Sequence, residues 1–372
     1  MENTTHEKQI KIVVVDDSAF MRKALTMMLE SDLTIKVVGT ARDGEEGLEK
    51  IRNLKPDLVT MDIEMPRMDG LTALREIMNS NPLPVMMVSS LTTDGARATL
   101  DALDMGAVDF IPKQSSYVSL DVVKIKEDLI AKIKSIVRRK SILMSRFRIS
   151  QTLKKKNQQS GKGSLSPSTS LPTGPVKAIQ KRNHFVSIVA IGSSTGGPPA
   201  LAQVIPRLPR NLSAGVVIAQ HMPAMFTKSL AERLDSLSTL HVKEAADGDP
   251  VEAGTVLIAP GGMQMTVKKM GARAKVVIST EPSDALYKPC VDVLMNSVAD
   301  SYRGASMGVV LTGMGNNGVI GLGKMKSKGS IIIAENEKSC IVYGMPRAAV
   351  EAGICDHIVP IDHVAQEIVS YF

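Results

Sequence analysis

Between residues 10 and 113, short β-branched and aliphatic runs alternate with stretches whose apolar residues recur at helical spacing. Five runs have the character of buried strands, at residues 12–15, 36–39, 58–61, 85–88 and 109–111. A helical pattern follows each of the first four, and another near residues 122–137 closes the series. Such alternation is typical of a doubly wound parallel sheet, which binds ligands at the carboxyl ends of its strands. We therefore predict an α/β domain of the flavodoxin-like (βα)5 type.

A second series of apolar runs begins at residue 186 and indicates another α/β domain. The runs lie at residues 186–191, 215–219, 255–259, 275–279, 307–311 and 330–334, with helical patterns between most of them. Between Val256 and Ile278, strand-like runs flank glycines without a long helix, which predicts a β-hairpin. A chain of 372 residues is also too long for one ordinary core. The expected fold class is two doubly wound parallel-sheet domains, the second with a hairpin.

The positive charge of the chain is confined to one segment. The formal net charge is +7, yet 14 Lys or Arg and no Asp or Glu lie between Leu129 and Arg182, leaving 31 basic and 38 acidic residues elsewhere. Residues 158–173 are rich in Gln, Ser, Gly and Pro, which is typical of a linker. We predict a first domain at 10–127, a linker at 128–184 and a second domain at 185–372. A solvated linker is favoured over a receptor-docking segment or a nucleic-acid arm, and no nucleic-acid partner is expected.

The N-terminal residues and the lack of a long apolar run predict a cytoplasmic protein. The first ten residues lack the apolar core of a signal peptide, and no run approaches the ~20 apolar residues that span a bilayer. We expect no insertion into a membrane. Three cysteines without paired or metal-like spacing argue against a disulfide framework or a zinc site.

Acidic residues follow two of the predicted strands of the first domain. Asp16 and Asp17 end the first strand and Asp62 ends the third, so the parallel topology brings three carboxylates to one edge. Their mutual repulsion calls for a divalent cation, and hard oxygen ligands select Mg²⁺. Ser89 and Lys113 follow strands four and five and add a hydroxyl and an ammonium group. Together these groups suffice for transfer of a phosphoryl group to a carboxylate.

The motifs VVVDDS, MDIEMP, VSS and FIPK make residues 10–126 resemble a response-regulator receiver. The resemblance implies that Asp62 accepts a phosphoryl group, with a histidine kinase as the donor. Asp16, Asp17 and Asp62 would bind Mg²⁺, and the Glu64 carbonyl would supply a further ligand.

The same resemblance implies a conformational switch in the receiver. Ser89 and Phe110 would be the residues that report phosphorylation, together with Lys113.

A glycine-rich turn follows the first strand of the second domain. Gly192, Ser194 and Gly196 fit the G-x-S-x-G nucleophile elbow, in which a sharp strand-to-helix turn exposes a serine. Such a turn also binds phosphate, so the motif alone does not separate an esterase from an anion-binding loop. His221 directly follows the neighbouring strand and is the candidate base. The other five histidines are expected to be structural.

Five motifs of the second domain, IGSSTGGP, AQHMP, IAPGG, LTGMGN and NEKSCIVYGMPR, resemble the protein-glutamate methylesterase domain of bacterial chemotaxis, the CheB family. The resemblance implies hydrolysis of glutamate γ-methyl esters on the cytoplasmic helices of methyl-accepting chemotaxis receptors, and deamidation of receptor glutamines. Ser194 would be the nucleophile and His221 the base, with Thr195 and the Met314 amide as oxyanion donors. The esterase would need no cofactor.

One position departs from the family motif, because Asn317 stands where the motif has Asp. A neutral amide cannot stabilise an imidazolium by charge, and the same change in a serine protease lowers kcat by about 10⁴-fold. Three explanations stay open: Asn317 still orients His221, Asp292 or another carboxylate substitutes, or deamidation at Asn317-Gly318 restores an acid. The alternative function is a receiver-regulated binding module with an impaired esterase. A DNA-binding response regulator is disfavoured, since the second half is α/β.

Overall fold

The computed structural model describes residues 9–113, 121–145, 185–271 and 273–372. Within these ranges the chain forms two α/β units, as the sequence predicts. Each is built on its own parallel sheet.

The first unit contains a five-stranded parallel sheet in the order β2-β1-β3-β4-β5. Its core strands are buried on both faces because helices cover both, which explains their runs of Val, Ile and Met. The strands are β1 (Ile10–Val15), β2 (Ile35–Ala41), β3 (Leu58–Asp62), β4 (Val85–Ser89) and β5 (Asp109–Pro112).

Five helices alternate with these strands, and four of them begin at a polar capping residue. Ser18, Asp43, Asp69 and Thr92 each accept a hydrogen bond from a backbone N–H of the following helix, which satisfies a donor that has no partner within the helix. The helices are α1 (Ala19–Glu30), α2 (Gly44–Leu54), α3 (Gly70–Ser80), α4 (Thr93–Met105) and α5 (Asp121–Arg138).

The predicted boundary after residue 127 falls inside α5. Leu129, Ile133 and Ile136 of this helix are buried in the core of the first unit, so the helical part of the predicted linker belongs to packed structure. The apolar spacing of the helix outweighs its basic composition. Helical structure extends to residue 145, and the Ser/Pro/Gly-rich segment lies outside the described residues. The division of the chain into domains otherwise stays a prediction.

The second unit contains a seven-stranded sheet in the order β14-β13-β12-β6-β7-β9-β8, with every pairing parallel. Strand β6 lies where the strand order reverses, which is the position at which open α/β sheets bind ligands. The strands are β6 (Ile188–Ser193), β7 (Gly215–Gln220), β8 (His241–Glu244), β9 (Thr255–Ile258), β12 (Ser306–Val310), β13 (Ile331–Glu335) and β14 (His357–Val359).

A separate antiparallel hairpin joins β10 (Gln264–Met270) to β11 (Arg273–Ser279). The predicted hairpin is thus present, but β9 belongs to the large sheet and the hairpin begins at Gln264. Strands β8 and β14 were not predicted, because each is at most four residues long and only partly buried. The helices of this unit are α6 (Gly197–Val204), α7 (Phe226–Leu237), α8 (Val291–Tyr302), α9 (Val319–Ser327), α10 (Met345–Glu351) and α11 (Ile361–Val369), with a 3₁₀ turn at Ile205–Arg207.

The two units pack against each other through α4 and β5 on one side and α7 on the other. Arg233 of α7 forms ion pairs with Asp101, at 2.7 Å, and with Asp104 on α4. The rings of Phe110 and Phe226 are stacked with centroids 4.5 Å apart. The first unit is therefore held directly against the elbow-bearing unit.

Candidate active site and receiver site

The Ser194 turn depends on two glycines. Ser194 and Thr195 follow β6, and Gly196 has φ +75°, a conformation that favours glycine. A Cβ at Gly197 would lie 1.8 Å from the Gln220 side-chain oxygen, so this helix start tolerates no side chain. The sharp turn places Ser194, only 8% exposed, at the carboxyl end of β6.

Gln220 ties the two strand tips together. Its side-chain oxygen accepts a 2.6 Å hydrogen bond from the Ser193 hydroxyl, and its Nε2 donates to the Ser194 carbonyl at 2.9 Å and to the His221 carbonyl at 3.1 Å. Ser193 and Gln220 are register partners in β6 and β7. The residues that follow them, Ser194 and His221, therefore stand at the same edge. Gln220 was not predicted as a site residue, although it stands in the AQHMP motif one residue before the candidate base.

The His221 imidazole contacts Asn317 through one nitrogen only. Nε2 lies 3.0 Å from the Asn317 side-chain oxygen, while Nδ1 is shielded from solvent and has no hydrogen-bond partner among the described residues. An amide oxygen only accepts, so Nε2 carries the hydrogen and Nδ1 carries the lone pair. The nitrogen left for a serine hydroxyl is therefore the basic one.

The Asn317 side chain is fixed on three further sides. Its oxygen accepts a hydrogen bond from the Val291 N–H at 2.7 Å, and its Nδ2 donates to Asp292 at 3.0 Å and to the Cys290 sulfur at 3.1 Å. Asp292 thus lies behind Asn317 and does not take its place beside His221. Deamidation at Asn317-Gly318 stays an untested alternative.

Tyr287 covers the face of the imidazole, with ring centroids 4.1 Å apart and an interplanar angle of 8°. Burial lowers the pKa of His221 to about 4, and the Lys132 cation on α5 adds to this effect. His221 is therefore neutral at physiological pH, as a general base must be. Neither Tyr287 nor Lys132 was predicted, because both belong to segments distant in sequence from His221.

Two candidate oxyanion donors lie next to the elbow. The Thr195 hydroxyl is buried without a partner among the described residues, while the Thr195 carbonyl accepts from Thr312 at 2.9 Å. Met314 is partly buried in the loop after β12. Their roles in binding an oxyanion stay predictions.

The acidic residues of the first unit meet at one edge as predicted. Oxygens of Asp16, Asp17 and Asp62 lie within 4.8 Å of one another, and the Lys113 ammonium lies 2.7 Å from Asp62 and 3.3 Å from Asp16. Burial raises the pKa of Asp62 to about 6, and the neighbouring Asp16 carboxylate acts in the same direction against Lys113. The buried Asp16 Oδ2 has the Lys113 ammonium, at 3.3 Å, as its one partner among the described residues. This donor set fits a hard divalent cation such as Mg²⁺.

The remaining predicted receiver residues lie around this edge. Ser89 is buried at the end of β4 and its hydroxyl donates to the Gly95 carbonyl at 3.1 Å. Glu64 is exposed two residues after Asp62, and metal binding by its carbonyl stays a prediction. Phe110 is buried against Phe226 of the second unit, so the candidate switch residue lies in the interface.

The fold and these two sites define a class of protein, a response-regulator receiver joined to an α/β output domain with a strand-end serine and histidine. Two family models match the chain: the response regulator receiver domain at residues 12–122, and CheB methylesterase at residues 189–368. Receivers of this family are in general phosphorylated with the help of Mg²⁺.

Curated relatives match almost the whole chain. Protein-glutamate methylesterase/protein-glutamine glutaminase 1 of Oleidesulfovibrio alaskensis is 50% identical, covering 97% of this chain and 99% of the relative. Protein-glutamate methylesterase/protein-glutamine glutaminase 2 of Nitratidesulfovibrio vulgaris is 51% identical with the same coverage. A crystal structure of the Thermotoga maritima CheB methylesterase catalytic domain is 41% identical, with a TM-score of 0.49, and covers 50% of this chain and 99% of that one. The chain belongs to the CheB family of protein-glutamate methylesterases.

Among the described residues, every helix is too short or too polar to cross a bilayer.

Proposed function

We propose that this chain hydrolyses glutamate γ-methyl esters on methyl-accepting chemotaxis receptors, deamidates receptor glutamines, and is activated by phosphorylation of Asp62. The observation that carries the proposal is the hydrogen bond of 3.0 Å between His221 Nε2 and the Asn317 oxygen. It leaves Nδ1 as the base beside the Ser194 strand tip. Asn317 thereby performs the orienting task of a triad acid without its charge.

The reaction follows from these positions. Nδ1 of His221 takes the proton as Ser194 Oγ bonds to the γ-carbonyl carbon, and the resulting imidazolium returns that proton to the leaving methoxide, which departs as methanol. Water, deprotonated by the same imidazole, then attacks the acyl carbon. The bond to Ser194 Oγ breaks, the imidazolium returns its proton to Oγ, and glutamate is released. With a glutamine side chain the first leaving group is ammonia.

The proposed partners follow from the family. The substrate is the cytoplasmic part of a chemoreceptor, and the phosphodonor is a chemotaxis histidine kinase, so we place the chain in the cytoplasm. Asp16, Asp17 and Asp62 would hold Mg²⁺, which neutralises charge during phosphoryl transfer. Ser89 and Lys113 would then contact the phosphoryl oxygens.

The proposed regulation is masking of Ser194 by the receiver. A cavity of about 360 Å³ between the two units is lined by Gly106 and Ala107 of the receiver, by Gly196 of the elbow and by Pro199 of α6, so the turn that carries Ser194 borders the interface. Phosphorylation would shift the population toward an open arrangement. If a fragment starting near Val186 were no faster than the unphosphorylated full chain, masking would be refuted.

Methanol release from methylated receptor tests the proposed activity. The full chain should release methanol, faster with a small phosphodonor such as acetyl phosphate, and Ser194→Ala should release none. Release by Ser194→Ala equal to the parent would refute the proposal.

The neutral Asn317 favours one second candidate, a binding module that holds receptors without hydrolysing them. In that case the full chain would bind methylated receptor and release no methanol with or without phosphodonor.

A further inference from the structure

We propose that Asp292 is a positioning residue, which orients the Asn317 amide toward His221 and supplies the negative charge that Asn317 lacks. The catalytic part of this inference rests on the proposed esterase activity. Its structural part concerns the tautomer of His221 and can be tested without that activity.

An asparagine at this position can face His221 in two ways. With its oxygen toward Nε2, it fixes the tautomer in which Nδ1 is basic; with its NH₂ group toward Nε2, it would demand the opposite tautomer, with the hydrogen on Nδ1. An aspartate presents an acceptor either way. The orientation of the side chain therefore matters for the asparagine of this chain and not for the aspartate of the family motif.

The residues around Asn317 permit only the productive orientation. The Val291 N–H points at the amide oxygen at 2.7 Å, and the Asp292 carboxylate accepts from the amide nitrogen at 3.0 Å. Reversing the amide would set two donors against each other at Val291 and two acceptors against each other at Asp292. An unpaired buried polar group destabilises the fold, more so when it is charged, so the reversed amide is disfavoured.

Asp292 is itself held in place. It is the second residue of α8, and its other oxygen accepts a hydrogen bond of 2.8 Å from the Gly321 N–H in the first turn of α9. Two helix N-termini therefore surround the carboxylate, and their dipoles stabilise the anion.

The charge of Asp292 lies two hydrogen bonds from the imidazole, through Asn317. When His221 becomes an imidazolium, this anion stabilises it across a partly buried path with a lower dielectric than water. In this chain the negative charge of the triad therefore lies on Asp292, behind the residue that contacts His221.

A double-mutant cycle separates this role from simple helix anchoring. Asp292→Ala should lower kcat/KM for methanol release by about tenfold or more, the size of a lost hydrogen bond to a charged group. In the Asn317→Asp background the same change should leave kcat/KM unchanged or raise it, because an aspartate needs no orientation and its second oxygen would face the Asp292 carboxylate without a hydrogen between them. Equal losses in both backgrounds would show anchoring only and overturn the inference.

Asp300→Ala is the matched control. Asp300 also lies on α8 and reaches α9, through a 2.7 Å ion pair with Lys324, but it is exposed and makes no contact with Asn317. It should change kcat/KM by less than about twofold, as expected for an exposed ion pair. Asp292→Asn keeps the shape of the side chain and guards against a folding defect in the alanine variant; it should also lose activity in the native background.

Nitrogen-15 NMR of the full chain gives the readout that is independent of catalysis. The His221 ring should carry its hydrogen on Nε2 above pH 7, and Asp292→Ala should mix the two tautomers. An unchanged Nε2–H tautomer in Asp292→Ala, with unchanged kcat/KM, would overturn the inference. If the native chain releases no methanol, the proposed function fails. The tautomer measurement alone then decides whether Asp292 orients Asn317.

Discussion

The ring of Phe110, on the last strand of the receiver sheet, stacks on the ring of Phe226, the first residue of α7, with centroids 4.5 Å apart. Phe110 is the predicted switch residue, and α7 belongs to the unit that carries Ser194 and His221. Any rearrangement of Phe110 on phosphorylation must therefore disturb the interface.

Replacing Phe226 by leucine should raise the activity of the unphosphorylated chain. An aromatic pair contributes about 0.5–1.5 kcal/mol beyond its burial, so its loss should shift the docking equilibrium by roughly two- to tenfold. Methanol release without phosphodonor measures the effect. Phe185→Leu, at a position 79% exposed, is the control and should leave the rate unchanged. A lower or unchanged rate in Phe226→Leu would count against coupling through this pair.

Replacing Arg233 by alanine should also raise the activity of the unphosphorylated chain. Arg233 bridges both Asp101 and Asp104 on α4, and exposed ion pairs contribute up to about 1 kcal/mol each, so basal activity should rise about two- to fivefold. Arg97→Ala removes a single exposed pair with Glu232 at 3.5 Å and should have less effect. If Arg233→Ala and Arg97→Ala had equal basal activity, Arg233 would have no special role in docking the receiver.

Replacing Asp62 by asparagine should abolish the increase in methanol release caused by acetyl phosphate, because the amide cannot accept the phosphoryl group. Asp69→Asn is the control from the same loop: Asp69 caps α3, and asparagine caps a helix equally well. Stimulation that survives in Asp62→Asn would place the phosphoryl group elsewhere.

Replacing Asn317 by aspartate should raise turnover, but by less than the about 10⁴-fold that separates Asp from Asn in a serine protease. Asp292 already supplies part of the charge, and the new carboxylate would face the Asp292 carboxylate, to which the Asn317 amide now donates a hydrogen bond. A carboxylate beside His221 raises its pKa from about 4. The acid limb of kcat/KM against pH should therefore move to higher pH, because protonation of the base then begins earlier. A lower turnover, or an acid limb that does not move, would contradict this interpretation.

The strand ends explain why much of the site could be predicted. Asp62 ends a buried strand, and Ser194 and His221 each directly follow one. Parallel topology brings such positions to one edge of their sheet regardless of distance along the chain. Asp292, Tyr287 and Lys132 could not be placed in this way. Their positions depend on how α5, α8 and the segment before α8 pack on the sheet, which local periodicity does not encode.

In the fold, too, local sequence patterns predicted some elements, while others depend on tertiary packing. Buried strands with long Val and Ile runs were predicted, whereas β8 and β14 are short and partly exposed, and the hairpin register depends on tertiary packing. The predicted boundary at residue 127 lies within α5, because the basic residues of this helix indicate a linker while its apolar residues pack in the receiver core.

Labelling with a serine-directed phosphonate, followed by mass spectrometry of the peptide that contains Ser194, tests most directly whether His221 activates this serine. With acetyl phosphate present, the native chain should acquire one adduct on Ser194, and His221→Ala should acquire it at least about a hundredfold more slowly, within the range that general base catalysis contributes. No adduct on Ser194, or equal labelling of the two proteins, would contradict the account.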